Sequence, residues 1–79
     1  MEDTIIESLH VVQKLYDATK EKLEIVINLS KKIDSSIVNE LKRQYRCLIF
    51  DLENTDFDIA ATRLSIIRRL ERTMGIWTQ

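Results

Sequence analysis

Residues 5–33 carry apolar or small side chains at Ile5, Leu9, Val12, Tyr16, Thr19, Leu23, Val26, Ser30 and Ile33, in steps that alternate four and three. That spacing lays them along one seam of an α-helix. A strand cannot use such a pattern, because its side chains change face at every residue. Neither Gly nor Pro interrupts the run. The reading is one helix over about 4–33, roughly 43 Å long at 1.5 Å per residue. Thr4 and Glu7 match a capping box, in which hydroxyl and carboxylate each satisfy a free backbone N–H. Glu2, Asp3 and Glu7 suit the positive end of the helix dipole, and Lys31 and Lys32 the negative end.

A second stripe, Val11, Leu15, Ala18, Ile25 and Leu29, runs beside the seam. Together the two cover roughly 200° of the circumference, where a helix lying on one neighbour needs about 100°. The first helix should therefore touch at least two others. Either both belong to the same bundle, or one stripe meets a second chain.

Asp34-Ser35-Ser36 places three cap-forming residues in a row, enough to end one helix and start another. A continuous, kinked helix is the alternative. The second helix is expected over 36–53, with Ile37, Leu41, Tyr45, Leu48 and Leu52 as its buried stripe and Val38 and Ile49 at the side. Asn54-Thr55-Asp56 is the next break. Asn54 is expected to close the second helix in a left-handed conformation, and Thr55 with Asp58 forms a weaker capping box. The third helix is expected over 56–74, with an apolar arc of Ile59, Ala60, Leu64, Ile66, Ile67, Leu70 and Met74. Gly75 then sits where a left-handed stop is wanted, and Ile76 can fold back on Leu70.

The fold class that follows is all-α: one helical domain over 1–79, a three-helix bundle with a long first helix. The expected arrangement is antiparallel and self-associating, since a long apolar helix overhanging two short ones leaves surface that monomers rarely expose. One Gly and no Pro supply almost no turn chemistry for a β-protein. The longest apolar run, Cys47-Leu48-Ile49-Phe50, is far short of a membrane span. The acidic opening Met1-Glu2-Asp3-Thr4 lacks the basic region of a secretion signal. The lone Cys47 fits a reducing compartment. A cytoplasmic location is the expectation.

Catalytic equipment is hard to find. His10 and Cys47 are the sole His and Cys, and lie far apart along the chain. Neither has metal-ligand spacing or a visible base-and-nucleophile arrangement. Asp51, Glu53, Asp56 and Asp58 cluster without the Gly that turns a calcium loop. Phosphate-cradling loops need Gly-rich turns. The architecture resembles that of the all-helical chorismate mutases, which are also small and open on their longest helix. That family binds a dicarboxylate with arginines, including one on the long helix, and the first helix here has no Arg. No enzyme, cofactor or metal site is expected.

Contact surface is easier to find. On a helical wheel Phe50 lies almost opposite Leu41, Tyr45 and Leu52, with Arg43, Arg46 and Cys47 as neighbours. An aromatic ring among arginines has the composition of an interface anchor. Cover by the third helix or the following loop is the other reading. Arg63 falls inside the third helix's apolar arc, where an unpaired guanidinium would be costly. It should snorkel, reach across an interface or, as the favoured reading, meet a carboxylate from another helix. Trp77 lies past the Gly75 stop, to dock on the core edge or to touch a partner. Phe50, Arg43, Arg46, Arg63 and Trp77 are thus the candidate partner-binding residues.

The expected function is a protein–protein interaction module: a regulator, adaptor or inhibitor that occupies a partner protein's surface, and itself a homodimer or higher homo-oligomer. The alternative is a nucleic-acid-binding regulator using Lys42, Arg43 and Arg46 with Arg63, Arg68, Arg69 and Arg72. A net charge of −1 and interspersed acids favour the former.

Overall fold

The computed structural model describes the backbone of residues 2–75 and the side chains of residues 9–75. Three helices follow in order: α1 (Glu2–Lys32), α2 (Ser36–Glu53) and α3 (Phe57–Met74). No strand occurs among the described residues.

The first break is real, and the kinked single helix is set aside. Ile33, Asp34 and Ser35 leave helical geometry. Ser35 takes extended angles (φ −131°, ψ 131°), and its hydroxyl accepts a long hydrogen bond from the Val38 N–H at 3.5 Å. The start of α1 differs from expectation. The helix already includes Glu2 and Asp3, so Thr4 lies inside the first turn instead of capping it.

The second break also departs from expectation. Asn54 is not left-handed (φ −92°); Thr55 is, at φ 56°. The Thr55 N–H donates to the Leu52 carbonyl at 3.2 Å and the Asp56 N–H to that of Asp51 at 2.9 Å. These are the two bonds of a Schellman stop, with a β-branched residue at the position Gly usually takes. Asp56 precedes α3 without a side-chain cap, so the Thr55–Asp58 box does not form. α3 closes as anticipated: Gly75 is left-handed (φ 73°), and its N–H reaches the carbonyls of Glu71 and Arg72. The expected Ile76–Leu70 contact lies outside the described residues.

α2 is the shared partner. It packs against α1 and against α3, while the backbones of α1 and α3 stay more than 8 Å apart, Cα to Cα, among the described residues. Among the described residues, Val38, Leu41, Tyr45, Leu48 and Leu52 of α2 supply five of the eight buried apolar side chains; Val26 comes from α1, and Ala60 and Ile67 from α3. Full burial of each large side chain contributes roughly 1.5–3 kcal/mol. Val38, placed at the side of the stripe from sequence, is fully buried, whereas Ile37 is half-buried.

Polar links fasten the layers. Glu71 of α3 accepts hydrogen bonds from the Tyr45 hydroxyl of α2 and from the Lys22 ammonium of α1 at 3.2 Å. Tyr16 of α1 donates to Glu53, the last residue of α2, at 2.9 Å. α1 therefore meets the end of α2 at Tyr16 and continues about four turns beyond it, toward Glu2. Leu9, about two turns past Tyr16 in that direction, is 62% exposed although it belongs to the seam. Ile33, the other end of the seam, falls outside the helix and is also exposed. At 1.5 Å per residue, α1 alone spans about 46 Å, close to the molecule's 47 Å long dimension.

Candidate interaction surface

α2 buries one side of its circumference, so its other side must face outward. Phe50 lies there and is 63% exposed. Arg43 and Arg46, seven and four positions before it, are exposed on the same side, and Cys47, three positions before it, is half-buried. Neither α3 nor the following loop covers the ring.

Beside this cluster, between α1 and α2, runs an open groove of about 520 Å³. Leu23 and Ile49 form its apolar lining; Lys20, Glu21, Glu24 and Arg46 supply its charged groups. Arg46 thus belongs both to the groove and to the surroundings of Phe50, which follows Ile49 directly. Sequence reasoning finds the arginine and the ring but misses the groove. It assigns Leu23 to the apolar seam and gives the acids Glu21 and Glu24 no role. Nothing local reveals that α2 stands close enough to make a trough of them.

Charge on this face is partly neutralised. Arg43 donates from Nε to Glu40 Oε2 at 3.0 Å and from Nη2 to Glu40 Oε1 at 2.6 Å. Hydrogen bonds from Arg43, then from Gln44, hold the Glu40 carboxyl below its ordinary value of 4.5. At the far end, the Lys20 ammonium lies 4.6 Å from the centroid of the Tyr16 ring. Its pKa is held above the ordinary 10.5, first by contact with Tyr16 and then by the Glu53 and Asp17 charges.

Arg63 stands apart from Phe50. It takes the paired form favoured from the sequence: Nε donates to Asp51 Oδ2 at 2.7 Å and Nη1 to Gln44 Oε1 at 2.8 Å. The Asp51 side chain is only 8% exposed and that of Arg63 25%. Gln44 in turn donates to Glu40 at 2.9 Å. A continuous chain of polar contacts therefore runs from Arg63 through Gln44 and Glu40 to Arg43. Ile59 and Ile66, expected in α3's apolar arc, are exposed; with Asp58, Thr62 and Arg63 they line a second hollow of about 330 Å³. Trp77 lies outside the described residues.

Of the seven cations considered for nucleic acid, Arg43 and Arg63 are engaged by carboxylates, while Arg68, Arg69 and Arg72 are exposed on α3. Among the described residues, no group of three or more His, Cys, Asp or Glu side chains could hold a metal ion. No helix there is long and apolar enough to cross a membrane. No family model, curated protein or solved structure matches the chain.

Proposed function

We propose that this chain is a protein–protein interaction module, an antiparallel three-helix bundle that self-associates and works in the cytoplasm as a regulator, adaptor or inhibitor. The observation that carries the reading is Phe50: a large ring left in water, on the same side of α2 as Arg43 and Arg46 and next in sequence to Ile49 of a groove with an apolar lining. Aromatic and Arg side chains are the commonest energetic anchors of protein interfaces. Hydrophobic burial of the ring, with Arg46 and the groove acids setting orientation, would dock a partner protein here. The antiparallel arrangement is supported by the pairing of Tyr16 with Glu53 and by that of Asp51 with Arg63 across the second loop. Exposed Val11 and Ile25 on α1 support self-association.

The test is capture of partners from cells that express the chain, comparing wild type with Phe50→Ala and Arg46→Glu. Proteins held by the wild type and lost by both variants, with helicity unchanged by circular dichroism, support the reading. Equal capture by all three chains would refute it. A salt-dependent gel shift with mixed DNA or RNA would instead favour nucleic-acid contact through Arg68, Arg69 and Arg72.

A further inference from the structure

Within the self-association reading, one face of α1 fits one occupant. Val11, Ala18 and Ile25 stand seven residues apart, so they share a line along the helix. All three are exposed, Val11 at 63% and Ile25 at 52%. On one flank of this line, Lys22 is engaged by Glu71 of α3. The opposite flank carries Lys14 and Glu21, both exposed and without an ion-pair or hydrogen-bond partner among the described residues. The line is therefore apolar, small at its midpoint and bordered on its open side by one cation and one anion.

We infer that this line is the contact between two copies of the chain, whose α1 helices cross antiparallel with Ala18 on Ala18. The spacing is self-complementary about that point. Val11 of each copy then meets Ile25 of the other, and the small Ala18 side chains let the helices approach at the crossing. In an antiparallel two-fold pair the same flank of both copies meets. Lys14 of each copy then lies against Glu21 of the second, giving two attractive pairs. Like charges there would be unfavourable by a similar amount. Charge complementarity singles out a second copy, because the anion matching Lys14 stands one heptad along the same helix. The contact shares Glu21 with the groove between α1 and α2, but Phe50, Arg43 and Arg46 of α2 take no part in it.

The inference rests on the self-association reading, and charge exchange separates the two. Wild type, Lys14→Glu, Glu21→Lys and an equal mixture of the variants are compared by sedimentation over a concentration series, with helicity as a folding control. Each variant alone sets like charges against each other at both pairs. Its dimer affinity is expected to fall roughly tenfold. In the mixture, one chain presents two carboxylates on this flank and the other presents two ammonium groups, so both pairs become attractive again. A mixed dimer with affinity restored to the wild-type level is the expected result. A wild type that stays monomeric throughout would overturn both the inference and self-association. A wild-type dimer that neither variant weakens would overturn the inference alone, as would two weakened variants that do not recover on mixing.

Discussion

The Lys22 ammonium on α1 lies 3.2 Å from the Glu71 carboxylate on α3, and the same Glu71 oxygen accepts from Tyr45 on α2. One carboxylate therefore ties three helices together where α1 and α3 have no direct backbone packing. Lys22 is about a third exposed and Glu71 is nearly buried, so the two ends of the pair should respond differently to removal.

Glu71→Ala removes a nearly buried carboxylate that accepts from both Tyr45 and Lys22, and is expected to cost about 2–4 kcal/mol. Lys22→Met leaves the Tyr45 bond in place and should cost less than about 1 kcal/mol. Urea unfolding followed by circular dichroism measures both. Equal losses would show that the tie is governed by the ion pair and not by the hydroxyl.

Removing Arg63 leaves the buried Asp51 carboxylate without its cation. Arg63→Met is expected to destabilise by roughly 3 kcal/mol. Arg63→Met combined with Asp51→Asn should recover part of that, since no unpaired charge then remains. A double-mutant cycle gives the coupling directly; purely additive losses would argue that the pair contributes nothing beyond packing.

Two helices end on a left-handed residue, but only one of them ends on Gly. Thr55→Gly is expected to raise stability by about 1 kcal/mol, because a β-branched residue resists positive φ. Gly75→Ala should lower it by about the same amount. Apart from its chain neighbours, no atom of the described residues lies within 4 Å of the added methyl, so that cost is conformational and not steric. Thermal unfolding would record shifts of opposite sign.

Acid sensitivity should be traceable to Glu40. Arg43 and then Gln44 stabilise its ionised form in the folded chain, so its folded pKa is lower than its unfolded one. Its contribution is present above the ordinary value of 4.5 and is lost as pH falls through the lower folded value. Stability of the wild type minus that of Glu40→Gln should therefore shrink on acidification through this window. The exposure of the pair makes the difference small and salt-sensitive. A difference that stays constant from pH 7 to pH 3 would remove Glu40 from the account.

The three helices are legible in the sequence because seam, breaks and closing Gly each act locally. Arg63 is legible for another reason: a guanidinium in an apolar arc needs a partner wherever it lies. The cover of α1 is not legible. Its two stripes are similarly apolar, and how far their cover extends depends on where α2 ends against Tyr16, a relationship 37 residues apart in sequence. Ile59 and Ile66 are misplaced in the same way, since periodicity marks them as apolar but does not say how far α2 reaches around α3. The left-handed Thr55 escapes notice because propensity favours its neighbour Asn54. The Schellman bonds to Asp51 and Leu52 set the stop one residue later.

The central position of α2 bears on how the chain assembles. Each packed pair consists of helices adjacent in sequence and joined by a three-residue connection. No distant segment must be brought home before a stable hairpin exists, so the entropy of closing long loops hardly enters. Such topologies belong among the fast folders, in the microsecond-to-millisecond range. Either outer helix can zip onto the middle one first, and the last to arrive finds its template already formed.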